Sequence, residues 1–250
     1  MHENLKIVCV IPGRLGSKRF PRKMLAVLGD KPLIQWAWEG AMNTPLFDEV
    51  VVAVDSEELK GVVEGFGGRS ILTAPSCSNG TERLLELYQR KELTGDIWVN
   101  WQGDEPFITG DVIKTLLQTC SEEGQEIWTL KKKISEVEQI ASPHVVKVVT
   151  DGQGRALYFS RSPIPYGERD LIFQHVGLYA YAASALEKMG SLAPAPLERA
   201  ENLEQLRFLY HGLSIQVHET DKKIFGIDTE EELEIAQQFV PCYNSSDHGN

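Results

Sequence analysis

Residues 6–13 read Lys-Ile-Val-Cys-Val-Ile-Pro-Gly, and Arg-Leu-Gly-Ser-Lys-Arg-Phe-Pro-Arg-Lys follows at residues 14–23. The unbroken apolar run of residues 6–11 predicts a buried strand, which Pro12 and Gly13 end. A glycine-rich turn after the first strand of a parallel sheet lies at the carboxyl edge of that sheet, where α/β proteins bind their ligands. This stretch therefore predicts both a fold and the position of a binding site.

The same alternation of strand and helix continues through the first half of the chain. Further apolar strands are predicted at residues 49–54, 69–73 and 96–101, and helices at residues 32–42, 57–66, 81–90 and 110–120. Ser56 is placed to cap the second of these helices. Continuous apolar strands that alternate with helices predict an α/β nucleotide-binding domain with a mainly parallel, helix-covered sheet.

The second half is predicted to be a smaller, β-rich lobe. Its pattern indicates a hairpin over residues 145–160 with a glycine turn, strands at 176–181 and 214–219, one helix over 197–210, and a last helix from a Thr229 capping box to about residue 240. We expect a single domain over residues 1–241, with its halves at about 1–125 and 126–241. The polar tail, residues 242–250, is predicted to be disordered.

Charge restricts the kinds of partner. The chain has 250 residues and a formal net charge of −11, yet five of its 25 basic residues fall within residues 13–23, with no acidic residue among them. An acidic protein repels nucleic acid and anionic membranes unless it concentrates positive charge. A compact cationic loop suits a small polyanion, so we expect small-molecule substrates and neither nucleic acid nor membrane as partners.

Composition also predicts a location. Hydrophobic residues make up 42% of the chain, but no run approaches the ~18 apolar residues of a membrane helix. Residues 1–6 lead directly into the first strand, so we expect no signal peptide. The four cysteines are widely spaced and form no CxxC pair, which favours a reducing compartment over a disulfide framework or a zinc site. The sequence therefore predicts a cytoplasmic protein.

The cationic loop at residues 13–23 has two interpretations. Its glycines would let backbone N–H groups approach phosphate oxygens, and its arginines and lysines would neutralise the phosphate charge. It matches neither GxGxxG nor GxxxxGK[ST], so it supports neither a dinucleotide site nor a P-loop. A solvated basic loop is the alternative, and the spacing of the residues does not decide between the two.

Several motifs along the chain resemble one family. The loop resembles the P-A-R-x-x-S-x-R-L-P-x-K segment of the sugar-acid cytidylyltransferases. The blocks Asn-Gly-Thr-Glu-Arg (79–83), Asn-Trp-Gln-Gly-Asp-Glu-Pro (100–106) and Leu-Tyr-Phe-Ser-Arg (157–161) follow in the same order. Residues 175–179, 203–207 and 226–229 complete a pattern similar to that of the Kdo (3-deoxy-manno-octulosonate) cytidylyltransferases. The resemblance covers residues 7–240.

This resemblance implies an activity and a set of site residues. It implies transfer of CMP from CTP to Kdo with Mg²⁺, in a homodimeric enzyme of lipopolysaccharide biosynthesis. It places nucleotide contacts at Arg14, Arg19, Lys23, Asn79, Gly80, Thr81 and Arg83, with Arg14, Arg19, Lys23 and Asp104 in catalytic roles. It places sugar contacts at Gln102, Arg161, His175, Tyr179, Glu204 and Gln205, and metal ligands at Asp104 and Asp228.

The two aspartates can also be interpreted from their positions. Asp104 follows the fourth predicted strand, where its carboxylate could bind Mg²⁺ or cap the next helix. The adjacent acid Glu105 favours a nearby cation, because neighbouring carboxylates repel. Asp228 precedes Thr229, which already caps the last helix, so the helix does not require Asp228.

Side chains in the second half suit an acidic sugar. The planar fork of Arg161 matches a carboxylate, although a surface salt bridge is the common alternative. His175 and Tyr179 stand four residues apart on a strand and therefore share a face. Glu204 and Gln205 are neighbours about 100° apart on the predicted helix, so both reach one pocket only at its rim.

Five positions depart from the family pattern, and several activities stay open. Gly13, Phe20, Arg22, Asn79 and Trp101 stand where Ala, Leu, Gly, Ser and Val are usual. Activation of 8-amino-Kdo or of sialic acid is the nearer alternative, and a non-enzymatic nucleotide-binding module the more distant one.

Overall fold

The computed structural model describes residues 5–17, 19–167, 169–222 and 224–240. The strands are β1 (Ile7–Gly13), β2 (Val27–Leu28), β3 (Lys31–Pro32), β4 (Glu49–Val54), β5 (Ser70–Leu72), β6 (Ile97–Asn100), β7 (Ile127–Lys133), β8 (Lys147–Thr150), β9 (Ala156–Ser160), β10 (Phe173–Ala182) and β11 (Ile215–Glu219). The helices are α1 (Leu33–Met42), α2 (Glu57–Gly65), α3 (Gly80–Arg90), α4 (Gly110–Leu116), α5 (Val137–Ala141), α6 (Ala183–Met189), α7 (Pro196–Glu201), α8 (Gln205–Tyr210) and α9 (Glu230–Gln237).

The chain divides into two compact units. The N-terminal unit comprises residues 6–94, 99–113 and 223–250, and the central unit comprises residues 1–5, 95–98 and 114–222. The single domain expected over residues 1–241, with halves meeting near residue 125, stays a prediction. The tail predicted to be disordered, residues 242–250, lies outside the described residues.

The N-terminal unit contains the predicted parallel strands. Strand β1 pairs in parallel with β4, from Val8↔Glu49 to Gly13↔Val54, and β4 pairs in parallel with β5. The Trp101 amide, just after β6, donates to the Val10 carbonyl of β1 at 3.0 Å. All seven residues of β1 are buried, as expected for a strand covered on both faces. The apolar runs therefore predicted these strands correctly.

Side-chain caps set the starts of three helices. Ser56 Oγ accepts a hydrogen bond from the Leu59 amide of α2 at 3.3 Å, which confirms the predicted cap. Asn79 Oδ1 accepts from the Glu82 amide of α3 at 2.8 Å. The predicted capping box at Thr229 is present, with α9 behind it. The fourth predicted helix is shorter than expected: α4 ends at Leu116, whereas the sequence predicts an end at residue 120.

An apolar cluster docks the last helix of the chain onto the N-terminal unit. Its buried members are Phe20, Leu28, Leu33, Trp36, Ile227 and Ala236. The Trp36 indole also donates to the carbonyl of Leu28 at 2.8 Å, so its one polar atom is paired. The cluster fixes Ile227, and with it the neighbouring Asp228, in a unit that consists largely of the first half of the chain.

The central unit is built on antiparallel pairs. Strand β10 pairs antiparallel with β7 and β8, β11 pairs in parallel with β7, and β8 and β9 form the predicted hairpin. Gly154 in the hairpin turn has φ = 79°, a conformation that favours glycine. Strand β7 was not predicted, because its apolar start runs into three consecutive lysines at residues 131–133.

The single helix predicted over residues 197–210 is wrong. The structure has two short helices, α7 and α8, separated at Asn202, which adopts a left-handed conformation with φ = 53°. Glu198 of α7 pairs with Arg207 of α8, whose Nε donates at 2.8 Å. Asparagine tolerates the left-handed region better than most residues, so one residue ends the first helix although the propensity of its neighbours would continue it.

The structure also describes the lengths of the helices and the state of three of the four cysteines. No helix in the described part of the chain is long and apolar enough to cross a membrane. Cys9, Cys77 and Cys120 form no disulfide within the described part of the chain, and Cys242 lies outside the described residues.

Replacing Asn202 tests the helix break. We expect Asn202→Ala to lower the free energy of unfolding by about 1 kcal/mol, because alanine pays the left-handed penalty in full. Asn202→Gly should change it by only a few tenths of a kcal/mol. Urea unfolding measures both, with Arg199→Ala on the exposed surface of α7 as the control. Equal losses for alanine and glycine would contradict the conformational explanation.

Candidate active site

A cavity of about 410 Å³ opens at the end of β1 in the N-terminal unit. Its size lies in the range of small-molecule sites. Its lining residues come from four segments of the chain: Pro12, Gly13, Arg14, Gly16, Ser17, Arg19, Lys23, Met24, Ser78, Asn79, Gly80, Arg83, Gln102, Gly103, Asp104 and Asp228. The structure thus brings together most of the predicted nucleotide contacts, both predicted metal ligands, and Gln102, which was predicted to contact the sugar.

The cationic loop is tied down at both ends. The Leu15 amide donates to both carboxylate oxygens of Asp55 at 3.2 Å, and the Arg22 amide donates to the Leu15 carbonyl at 3.1 Å. The guanidinium of Arg14 donates to the Ser78 carbonyl at 3.1 Å. Lys18 lies outside the described residues. These bonds anchor the loop beside the cavity, while the side chains of Arg14, Arg19 and Arg22 are exposed. Phosphate binding by the loop stays a prediction.

Lys23 lies between the two aspartates. Its ammonium is 2.5 Å from Asp104 Oδ2 and 2.7 Å from Asp228 Oδ1, and only 6% of the residue is exposed. Burial acts to lower the pKa of Lys23, but Asp104 and Asp228 outweigh burial and raise it. The lysine therefore stays charged and holds both carboxylates together.

Asp228 also pairs with Arg19. Arg19 Nη2 donates to Asp228 Oδ2 at 2.7 Å, and the Ile227 amide donates to the Asp104 carbonyl at 2.9 Å. Burial acts to raise the pKa of Asp228, but Lys23 and Arg19 lower it. Two cations and two carboxylates thus meet at one wall of the cavity, where an anionic ligand and a cation could each find partners.

Glu105, next to Asp104 in the chain, is a third acid near this wall but does not line the cavity, and the sequence did not identify it as a site residue. Its Oε2 is sealed from solvent and has no hydrogen-bond partner among the described residues. Burial, followed by the charges of Asp104 and Asp228, raises the pKa of Glu105 to about 8. The signal that could have found it is its position beside Asp104 at a strand end.

The acidic groups fit a hard divalent cation. Such ions prefer carboxylate oxygens, and Mg²⁺ is usually held by one or two carboxylates together with substrate phosphates. Asp104 and Asp228 supply two carboxylates that converge on one point, the Lys23 ammonium. Within the described ranges there is no group of three or more His, Cys, Asp or Glu side chains arranged to hold a metal. A cation at this wall would therefore need ligands from a substrate.

The start of α3 also lines the cavity. A Cβ on Gly80 would lie 2.9 Å from the Pro12 ring, so only glycine allows this close approach of α3 to the end of β1. Arg83 is 2% exposed and donates to Thr73 Oγ1 at 2.5 Å. Thr81 is buried and does not line the cavity, unlike the other predicted nucleotide contacts.

Arg161, the predicted carboxylate partner, belongs to the central unit. Its Nε donates to the Glu201 carbonyl at 2.8 Å, its Nη1 to the Pro143 carbonyl at 2.9 Å, and its Nη2 to the Asn202 carbonyl at 3.3 Å. A guanidinium carries five N–H groups, so these contacts leave two N–H groups for a ligand. The surface salt bridge considered for this residue is absent from the described contacts.

His175 and Tyr179 meet because β10 is bulged. The register against β7 shifts between Val176 and Tyr179, and the two rings lie 5.4 Å apart. In a regular strand four residues span about 13 Å, so the shared face was predicted correctly but the bulge brings the rings together. Tyr179 and Gln205 are buried, while Glu204 occupies the N-cap position of α8 rather than a site inside one long helix.

The His175 ring is held as a neutral donor. The Thr129 hydroxyl lies 3.0 Å from Nε2 of His175 and 2.9 Å from the Leu178 carbonyl. Because its one proton points at a carbonyl, the hydroxyl accepts from the ring. Burial lowers the pKa of His175 to about 3.

Known proteins resemble the chain over nearly its whole length. A sequence model of the cytidylyltransferase family matches residues 8–224. A 3-deoxy-manno-octulosonate cytidylyltransferase from Thermodesulfovibrio yellowstonii is 40% identical over 252 residues, which cover 95% of this chain and 99% of that protein. One from Pelodictyon phaeoclathratiforme is 42% identical over 243 residues, which cover 94% and 98%. The chain belongs to the 3-deoxy-manno-octulosonate cytidylyltransferase family.

A solved structure agrees with this family. A CMP:2-keto-3-deoxy-manno-octonic acid synthetase complexed with CTP is 38% identical to this chain, with a TM-score of 0.90 over 95% of this chain and 99% of that one. The predicted fold class, a mainly parallel and helix-covered α/β sheet of the nucleotide-diphospho-sugar transferase type, is thereby confirmed.

Two departures from the pattern of the 3-deoxy-manno-octulosonate cytidylyltransferases have structural explanations. Arg22, where glycine is usual, has φ = 60°, the left-handed region that favours glycine, and its guanidinium pairs with Glu58. Trp101, where valine is usual, is fully buried. Its ring lies 3.2 Å from the position that a Cβ on Gly40 would take, so the glycine provides the space for the larger side chain.

Acid unfolding tests the buried His175. The unfolded chain takes up this proton near pH 6.5 and the folded ring only near pH 3, so the free energy of unfolding should fall as the pH drops from 6.5. The loss from this residue between pH 7 and pH 5 is about 2 kcal/mol. In His175→Gln that part of the pH dependence should be absent.

Urea unfolding at pH 5, 6 and 7 measures this difference, with His144→Gln at an exposed histidine as the matched control. An unchanged pH dependence in His175→Gln would show that the ring titrates alike in both states.

Proposed function

We propose that this chain transfers CMP from CTP to the anomeric hydroxyl of Kdo, which gives CMP-Kdo and pyrophosphate. The observation that carries the proposal is the wall of the cavity where Lys23 and Arg19 meet Asp104 and Asp228. The names of the relatives and the CTP complex of the solved structure support the choice of nucleotide and sugar.

The proposed mechanism relies on position and charge. The anomeric hydroxyl attacks the α-phosphorus in line, and pyrophosphate leaves on the opposite side. Arg14, Arg19 and Lys23 bind the triphosphate and neutralise the charge that develops on the leaving pyrophosphate. Asn79, Gly80 and Arg83, which also line the cavity, hold the nucleoside. Little covalent work falls to the protein, because orientation lowers the barrier.

Asp104 and Asp228 are the proposed ligands of Mg²⁺. When bound, the ion supplies charge neutralisation at the α-phosphate and orients the attacking oxygen. The two carboxylates would hold it together with phosphate oxygens of the nucleotide. Glu105, the third acid, adds negative charge beside this point.

The acidic sugar is proposed to bind Arg161, His175, Tyr179, Glu204, Gln205 and Gln102. The two uncommitted N–H groups of Arg161 suit a carboxylate, and three backbone contacts hold the fork in place. The neutral imidazole of His175 and the phenolic hydroxyl of Tyr179, both buried, are proposed to form hydrogen bonds with hydroxyl groups of the sugar. A cytoplasmic homodimer that supplies lipopolysaccharide synthesis is proposed from the family.

Pyrophosphate release tests the function and the choice of sugar. With CTP and Mg²⁺ we expect rapid release with Kdo, and slow or no release with sialic acid. Faster release with 8-amino-Kdo would transfer the assignment to the 8-amino sugar. Absence of release with all three acids, in protein that binds CTP, would favour the non-enzymatic nucleotide-binding alternative.

Asp104→Asn should nearly abolish turnover while the fold stays intact. The amide removes the charge that would hold the cation but can still accept a hydrogen bond from Lys23. We expect a loss on the order of 10²-fold or more in kcat, measured by pyrophosphate release. Asp170→Asn, at an exposed acid that pairs with Lys133, is the control. Activity within a few-fold of wild type would remove Asp104 from the metal site.

Arg161→Lys should damage the use of Kdo although it keeps the charge. Lysine cannot present two parallel N–H donors, and loss of a hydrogen bond to a charged group costs roughly 1.5–3 kcal/mol, or about 10- to 150-fold. The loss should appear in KM for Kdo, with KM for CTP nearly unchanged.

Varying each substrate in turn separates the two constants. Arg155→Lys is the matched control, because the Arg155 side chain pairs only with Asp151 among the described contacts. A silent Arg161→Lys would assign the sugar carboxylate to another residue.

A further inference from the structure

The ammonium of Lys23 lies where the two proposed metal ligands converge. It is 2.5 Å from one oxygen of Asp104 and 2.7 Å from one oxygen of Asp228. The second oxygen of Asp228 pairs with Arg19 at 2.7 Å. Both aspartates therefore already have a cationic partner that belongs to the chain itself.

A divalent cation would compete with this ammonium. Mg²⁺ binds oxygen ligands at about 2.0–2.1 Å, and Lys23 Nζ lies 2.5 Å from Asp104 Oδ2 and 2.7 Å from Asp228 Oδ1. An ion held by both oxygens would therefore lie within about 5 Å of the ammonium. The two positive charges also repel each other strongly at such a separation. A metal on these two oxygens is therefore disfavoured while Lys23 stays in place.

Lys23 cannot simply withdraw into water. The residue is 6% exposed, and its amide is tied to the Phe20 carbonyl at 3.2 Å in the turn that carries it. A buried ammonium that loses its carboxylates needs another anion close by. The cavity that Lys23 lines is where phosphate oxygens would supply one.

We infer that Lys23 is a resident counter-ion that competes with the divalent cation for Asp104 and Asp228, and that it releases them when the triphosphate offers it new oxygens. The inference rests on the proposed function, since it concerns the metal site assigned there. The inference adds a dependence of metal affinity on the nucleotide: the metal binds weakly to the protein alone and tightly when the nucleotide is bound. By linkage, the nucleotide gains from the metal by the same factor.

The charges at the wall explain why a resident cation is needed. Asp104, Glu105 and Asp228 bring three carboxyl groups together, and Glu105 has an oxygen with no partner among the described residues. Among the described contacts, Arg19 is the other cation that pairs with these acids, at Asp228. Removal of the lysine should therefore leave a site with a higher affinity for added cations.

Binding of Mn²⁺ in the absence of nucleotide tests the inference. Mn²⁺ takes the same oxygen ligands as Mg²⁺, and electron paramagnetic resonance reports its free concentration. We expect Lys23→Met to bind Mn²⁺ about tenfold or more tightly than the wild type, a difference of about 1.4 kcal/mol. Lys31→Met is the matched control, because Lys31 pairs with Glu39 at 2.8 Å and its removal changes the net charge equally.

Thermal unfolding gives a second readout and a second variant. Lys23→Met leaves the aspartates facing each other, so it should unfold at a lower temperature in metal-free buffer. Added Mg²⁺ should raise its Tm more than it raises the Tm of the wild type. Lys23→Gln, which can still donate hydrogen bonds to the carboxylates, should behave similarly with a smaller loss of stability.

A double variant assigns the gain to this site. Asp104→Asn combined with Lys23→Met should lose the extra Mn²⁺ affinity, since one of the two carboxylates is gone. Unchanged or weaker Mn²⁺ binding in Lys23→Met would overturn the inference, as would an equal gain in Lys31→Met or a gain that persists in the double variant. Turnover of the wild type with CTP and Kdo is measured separately, so a failure here is distinct from a failure of the proposed function.

Discussion

The ammonium of Lys23, shared between Asp104 and Asp228, joins three parts of the chain that are distant in sequence. The lysine comes from the loop after β1, one aspartate follows β6, and the other precedes α9. The lysine is buried while both carboxylates are partly exposed, and a buried ammonium that loses its partners is costly. The shared ammonium therefore specifies one arrangement of the three segments, and that arrangement is the wall of the cavity.

Apolar packing makes the arrangement possible. The cluster around Trp36 docks the last helix onto β2 and α1, and the Ile227 amide bonds to the Asp104 carbonyl. Burial of these side chains supplies the free energy that the charged groups do not. Asp228 reaches the cavity because its neighbour in sequence is a core residue.

In the central unit, hydrogen bonds to the rest of the protein orient the groups that are proposed to bind the sugar. Arg161 donates to three backbone carbonyls, and His175 donates to Thr129. Buried polar groups cost stability unless they are paired, so these contacts hold the side chains in one orientation before a ligand arrives. A preorganised fork and ring lose less freedom on binding than mobile ones.

The sequence by itself determined strands β1, β4, β5 and β6, the hairpin at residues 145–160, the caps at Ser56 and Thr229, and the candidate residues of the site. These depend on local patterns: apolar runs, glycine turns and capping side chains interact over a few residues. Family resemblance supplied the roles of Arg161 and His175, which their own positions left undecided.

Only the tertiary structure decided the rest. It showed that Lys23 pairs with two distant aspartates, that Glu105 is sealed beside them, that a bulge in β10 brings His175 to Tyr179, and that Asn202 divides a predicted helix. Each depends on contacts between residues far apart in the chain or on one unusual backbone angle. The local sequence pattern does not predict such contacts, because the groups that stabilise a buried charge or a bulge come from segments that only the folded chain brings together.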